Sequence, residues 1–406
     1  MKKRILATIM SVAMVATLLV GCGAKEAEAP AAEAPAAEAP AAEEPAAEAP
    51  AAEAPAAEEP AAEEPAAEAP AAGEAYHFEV IVKSFQSSYW QAAVTGINQA
   101  CEELGVTANC TGPNAESDIA DQVNMLNNAI NSAPNGIGLA ACDAEAVLDS
   151  LQTALDKGIP VVCFDAGVPN APAGSVIATC ATDNYAAGSV AAENMYPALK
   201  DKIAAASAPV RIGEVNQDAT GANIIERGLG FIETFAKLAA ADGYKVAIIG
   251  NEKYVNDASA NVETVAEGEA DIIIEVAVPA QTTVELCATE ASAIMNKSDL
   301  IGIFGSNQVS AEGVLTANDS LQILGTDPSN SVLAVGFDAG SVIKGAISAG
   351  TMFGAVTQSP LMMGKLCIET LTKACNGEAV ADIPTDGYWY DTTNMDAADI
   401  APNLYD

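Results

Sequence analysis

Five short apolar runs in this 406-residue chain are each followed closely by a side chain that can hydrogen-bond or stack. His77 to Val82 precedes Tyr89 and Trp90, and Val161 to Phe164 precedes Asp165. Leu300 to Phe304 precedes Asn307, Val332 to Phe337 precedes Asp338, and Phe353 to Thr357 precedes Gln358. Asn223 and Arg227 are four residues apart in a helical pattern, so they share a face. The carboxylates accept, the amides do both, the guanidinium fork suits adjacent oxygens, and the rings offer flat apolar faces. Such a set would suit a ligand rich in hydroxyls with C–H surfaces between them.

Each residue also has a plainer use. Tyr89 or Trp90 could anchor a helix in the core. Asp165 could cap the turn before Gly167, Asn307 the next helix, and Asp338 the helix at Ser341. Arg227 could pair on the surface with Glu226 or Asp218. Asp183 and Asn184 read as crossover and cap residues, and Arg211, the other Arg of residues 76–406, reads as structural.

The elements that would hold these groups alternate. Strand patterns at His77–Val82, Val106 onward, Gly136–Ala140, Val161–Phe164 and Ser175–Thr179 are separated by helical patterns at Tyr89–Leu104, Ala120–Ala133 and Asp143–Lys157. Strands at Val210–Val215, Lys245–Ile249, Leu300–Phe304, Val332–Phe337 and Phe353–Thr357 follow. Helices at Asn184–Lys200, Ile224–Lys237, Thr282–Met295, Ala311–Ala317, Ser341–Ser348 and Pro360–Ala374 are interleaved with them. Short buried strands joined through helices imply parallel sheets covered on both faces, and ligand groups gather at the carboxyl ends of such strands. Asn251 to Ala270 is polar and acidic and reads as a surface insertion, with a short helical piece at Ala258–Val265.

The order and local sequences resemble the type 1 periplasmic binding proteins, specifically the ribose/galactose-binding group that serves ABC transporters. The matching stretches are Tyr89-Trp90, Val162-Cys163-Phe164-Asp165, Ala181-Thr182-Asp183-Asn184, Glu226-Arg227-Gly228, Gly305-Ser306-Asn307, Val335-Gly336-Phe337-Asp338 and Thr357-Gln358. The resemblance implies an α/β fold of two Rossmann-like lobes with parallel sheets, joined by a three-crossover hinge. It divides the chain into lobe 1, about 76–182 plus 359–383, and lobe 2, about 183–358 plus 385–406. It further implies that Tyr89, Trp90, Asp165, Asn223, Arg227, Asn307, Asp338 and Gln358 contact a sugar, Tyr89 and Trp90 sandwiching or walling its ring. One departure stands out: the ribose binder's pattern has an Arg after the first-lobe Asp, and this chain has Ala166.

The amino terminus reads as an export signal. Lys2, Lys3 and Arg4 precede an apolar run, Ile5 to Val20, too short to span a bilayer comfortably. Leu19-Val20-Gly21-Cys22 resembles a bacterial lipobox, which implies cleavage after residue 21 and an acylated Cys22. Residues 31–70 are eight copies of AAEAP or AAEEP. Pro in every repeat breaks helices, and nothing there can form a core, so residues 22–75 are expected to be a disordered acidic tether.

Residues 76–406 hold 13 basic and 41 acidic residues, a net charge of −28. That surface repels phosphate backbones, which excludes nucleic acid as a partner. The one His is His77, no CxxC is present, and no metal or cofactor is expected. The eight Cys of this region are expected to be free, several of them as small buried hydrophobes. The leading expectation is therefore a monomeric lipoprotein that hands a pentose or hexose to an ABC permease and performs no reaction. A sensor for a furanosyl signal, polyol or nucleoside would share every site residue. A glycosidase using Asp165 and Asp338 is a weaker alternative, since there is no nucleophile elbow, Walker A or GxGxxG motif. A regulator would need a DNA-binding headpiece where the acidic tether stands.

Overall fold

A computed structural model describes residues 75–406. The expected signal, lipobox and tether lie outside the described residues. The chain runs β1 (His77–Ile81), α1 (Ser88–Leu104), β2 (Thr107–Thr111), α2 (Ile119–Asn131), β3 (Gly136–Leu139), α3 (Leu148–Asp156), β4 (Val161–Phe164) and β5 (Val176–Thr182). It continues with α4 (Asn184–Ala205), β6 (Val210–Val215), α5 (Ala222–Ala241), β7 (Val246–Gly250), α6 (Glu252–Ser259), β8 (Ile272–Ala277), α7 (Val284–Met295), β9 (Leu300–Gly305) and α8 (Gln308–Leu321). Then come β10 (Leu333–Phe337), α9 (Ser341–Ser348), β11 (Gly354–Thr357), α10 (Pro360–Cys375), β12 (Ile383–Thr385) and β13 (Tyr388–Tyr390).

These strands form two sheets. The first has the order β12-β5-β4-β3-β1-β2 and is parallel throughout; the second has the order β13-β11-β10-β9-β6-β8-β7. Each is the sheet of one lobe, and the central strands are buried from end to end, as a sheet covered on both faces requires. The chain passes between sheets three times: from β5 into α4, from β11 into α10, and from β12 to β13.

The two helices entered directly from a crossing, α4 and α10, lie against a neighbouring helix of the lobe they enter. A Cβ on Gly188 of α4 would overlap the carbonyl oxygen of Arg227 in α5, and one on Gly364 of α10 would overlap that of Ala93 in α1. Glycine at these contacts lets the helix backbones touch, which fixes where Arg227 stands.

Four expectations need correction. The helix expected over Asp143–Lys157 begins only at Leu148, because Asp143 accepts from the backbone N–H groups of Glu145 and Ala146, both at 2.9 Å, and holds a turn there. The stretch Asn251–Ala270 is no appended insertion. It is the crossover from β7 to β8, and its helix, α6, lies earlier than expected because Tyr254 and Ala258 bury one face. The strand β8, between β6 and β7, went unassigned although Ile272-Ile273-Ile274 is plainly apolar. Glu275 interrupts that run, and it is accommodated by Arg211 at 2.7 Å and Lys297 at 2.6 Å. The second sheet is also not wholly parallel, since β13 runs antiparallel along β11.

All eight cysteines of the described residues are free. Burial pushes the Cys163 thiol from the ordinary 9.0 to about 12, and Cys287 rises likewise for the same main reason. These thiols should react slowly with a thiol reagent in the native protein at neutral pH. Denaturation without reductant should release all eight; four or fewer would show that bridges dominate. The linkage has a sign. The folded state holds these protons more tightly, so stability should fall as pH rises from about 9 toward about 12.

Candidate functional site

β4 and β10 end in the same way. Asp165 follows Phe164 with φ 62°, and Asp338 follows Phe337 with φ 71°. Aspartate tolerates this left-handed conformation better than most residues, for which it costs about 1–2 kcal/mol. Each turn is pinned by its own amide: Asp165 N–H donates to Cys180 O at 3.0 Å on β5, and Asp338 N–H to Val356 O at 2.7 Å on β11. The two strands accepting these bonds are those that lead into the first two crossings. Each lobe thus turns one buried carboxylate toward the other.

All eight residues singled out from the sequence line one narrow cleft between the lobes. Asp165 accepts from the Tyr89 hydroxyl on one oxygen and from Asn223 Nδ2 at 3.0 Å on the other. Asp338 accepts from Gln358 Nε2 at 2.7 Å and from the Gln308 N–H at 2.9 Å, at the first turn of α8. Arg227 is 1% exposed. It donates to Asn184 Oδ1 at 2.8 Å and Ser306 O at 2.9 Å, lies 3.9 Å from Asp338, and stacks 3.6 Å over the Phe337 ring. It is a buried cation aimed into the cleft, paired with neither Glu226 nor Asp218. Burial raises the Asp338 carboxyl above its ordinary range, against the opposing pull of Arg227.

The plainer uses resolve individually. Asn307 does cap α8, accepting from Ser310 N–H at 3.1 Å, while its Nδ2 donates across the cleft floor to Gln217. Asp338 does not cap the helix at Ser341, whose N-cap is Gly340 with no side-chain bond. Asp183 caps α4, accepting from Ala186 N–H at 2.9 Å, whereas Asn184 holds Arg227 in place. Arg211 is structural, bonded to Asp299 and Glu275. Tyr89 and Trp90 do not form two parallel plates. Their rings meet edge to face, centroids 4.9 Å apart, and Tyr405 adds a third ring 5.8 Å from Tyr89.

Five polar residues of the cavity, Lys83, Ser87, Glu116, Gln217 and Gln308, were missed. Lys83 is 1% exposed, donates to Asn223 Oδ1 at 2.9 Å and stands 3.8 Å from Asp165. Burial draws its pKa down, but Asp165, Glu116 and Asp218 outweigh burial and leave it raised. It supplies a first-lobe cation in a chain that has Ala166 after its first-lobe Asp. Glu116 accepts from Trp90 Nε1 at 2.7 Å and from Gln217 Nε2 at 2.7 Å, joining the lobes. Lys83 was legible, since it directly follows the apolar run of β1. Glu116 sits in a polar loop and carried no such signal.

Against known families, residues 78–379 match the model described as periplasmic binding protein domain. The chain belongs to the periplasmic binding protein family. Among relatives of this binding protein is the ribose import binding protein of Haemophilus influenzae, 28% identical over 244 residues, which are 60% of this chain and 67% of that protein. A solved structure from Brachyspira murdochii, described as an ABC transporter, LacI family transcriptional regulator, is 30% identical with a TM-score of 0.67. It is matched over 82% of this chain and 99% of that one. An ABC transporter solute binding protein from Agrobacterium vitis, with bound D-fucose, is 27% identical with a TM-score of 0.67, over 81% of this chain and 100% of that one. The binding protein's two lobes and crossings are thus those expected from its sequence. Among the described residues no helix is long and apolar enough to cross a membrane, and no cluster of three or more His, Cys, Asp or Glu could hold a metal ion.

Proposed function

We propose that this binding protein captures a monosaccharide between its lobes and delivers it to the permease of an ABC importer, anchored to the membrane through an acylated Cys22. The observation that carries this reading is the opposed pair Asp165 and Asp338. Each is buried at a strand end and surrounded by amide, hydroxyl and cationic donors, beside the apolar faces of Tyr89 and Trp90. Carboxylates so held accept hydroxyl donors strongly. The names of the relatives, a ribose import binding protein and a D-fucose-bound solute binding protein, support the same class. The protein performs no reaction, as a member of a family of binding and import proteins. It acts as a monomer and binds no nucleic acid.

A thermal-shift panel of pentoses, hexoses, polyols and nucleosides tests the reading. A sugar present at a hundred times its Kd should add about 2.7 kcal/mol to apparent stability. A panel in which only nucleosides or polyols shift the transition would replace the monosaccharide. For the anchor, Cys22→Ala should move the protein from the membrane to the soluble fraction. Unchanged membrane partition would end the lipoprotein reading.

A further inference from the structure

Behind the second-lobe wall of the cleft, Glu214 near the end of β6 and Asn216 just beyond it are both fully buried against α5. Asn216 Nδ2 donates to Glu214 Oε1 at 2.7 Å. The remaining polar atom of each group, Glu214 Oε2 and Asn216 Oδ1, has no partner. Apart from Ser175 Oγ, they are the only buried side-chain nitrogen or oxygen atoms so left among the described residues. The two orphans are both acceptors, on neighbouring groups already joined by one bond. A buried acceptor left unpaired costs about 1–3 kcal/mol, and more when it belongs to a charge. A single proton on Oε2 could satisfy both, because a carboxylic acid and a primary amide form a ring of two hydrogen bonds.

We propose that Glu214 is held as a neutral acid, donating from Oε2 to Asn216 Oδ1 while Asn216 Nδ2 donates back, and that this pair positions Gln217 in the cleft. No cation is available to the carboxylate. On α5, Arg227 is spent on Asn184, Ser306 and Asp338. On α6, the Tyr254 hydroxyl donates to Asp218 O, while Asp218 accepts from the Thr220 and Gly221 amides. On β8, Glu275 is bound by Arg211 and Lys297. Nor is there slack above the pair: a Cβ on Gly228 would lie 2.6 Å from Glu214 Oε1 and 2.8 Å from Asn216 Nδ2. Burial accordingly pushes the Glu214 carboxyl well above the carboxylate range. The residue after Asn216 is Gln217, which donates to Glu116 of the first lobe and accepts from Asn307. The acid–amide ring thus fixes the strand end from which this interlobe contact departs.

The sign of the linkage follows. A carboxyl whose proton is held more tightly in the folded state contributes stability at low pH that is lost as pH rises. Glu214→Gln replaces the acid with an amide that can close the same ring without a proton. Near the ordinary glutamate pKa the two proteins should melt together, and above it the variant should become progressively more stable than wild type. In wild type, the Glu214 carboxyl carbon resonance should remain at its protonated position at neutral pH. The Gln217 side-chain amide should shift with the same midpoint as Glu214 titrates. An ionised Glu214 at pH 7 overturns the proposal, whether or not the variant folds. So does a stability difference that does not change with pH, or a Gln217 amide indifferent to the titration.

Discussion

Asp338→Asn is expected to weaken sugar binding by about 2–5 kcal/mol, roughly 30- to several-thousand-fold. Asparagine keeps the tolerance for φ 71° and the shape of the side chain, so the ligand-free protein should stay folded and lose less stability than the alanine variant. What it loses is the charge, and its amide N–H₂ turns a donor toward either the Gln308 N–H or Gln358 Nε2, which are donors already. Asp338→Ala should lose affinity equally and more stability besides. Alanine carries the left-handed penalty of about 1–2 kcal/mol, and it leaves the Gln308 N–H unpaired. Calorimetric titration with the panel's best sugar, beside denaturant unfolding of the free protein, separates the two. Undiminished affinity in both variants would remove Asp338 from the site. Acidification offers an independent check. Because the Asp338 carboxyl is raised by burial, affinity should start to fall above the ordinary carboxylate range as the proton goes on. The stability contribution runs the other way, present at low pH and lost as pH rises.

Arg227→Met should reduce both binding and folding. Removing one partner of a buried charged network leaves the other exposed to a low-dielectric interior, at about 3–5 kcal/mol. Here the group left behind is Asp338, and Ser306 O and Asn184 Oδ1 lose donors too. Methionine keeps part of the packing on Phe337, so the loss reports charge and hydrogen bonds more than volume. The expected result is no detectable binding and a melting transition lowered for the second lobe. An Arg227→Met protein that melts like wild type and binds within threefold would contradict the network.

Much of this was legible because strand ends announce themselves. Val-Cys-Phe-Asp and Val-Gly-Phe-Asp each stop an apolar run with a carboxylate, and in a parallel sheet that position faces the cleft. Lys83 ended a run in the same manner and was passed over, although it is the first-lobe cation. Glu116 and Tyr405 could not have been read, for both reach the cleft from irregular segments whose paths are set by the packing of other elements. Strand β8 was missed for an electrostatic reason. Glu275 looks like an interruption until Arg211 and Lys297 arrive from elsewhere in the chain to neutralise it.

Gln358 sits on the second crossing and is held there by Thr182 of the first, whose hydroxyl donates to its Oε1 at 2.7 Å. Its other end holds Asp338. Seen as a lever, the molecule has its fulcrum and the second-lobe cleft carboxylate one side chain apart. Groups at a fulcrum travel least when the arms swing, so the Gln358–Asp338 end would keep its geometry if the lobes turned about these crossings. On the proposed sugar-binding function, a ligand would be oriented first on that end, and any closing of the lobes about these crossings would bring Asp165 and Lys83 to it.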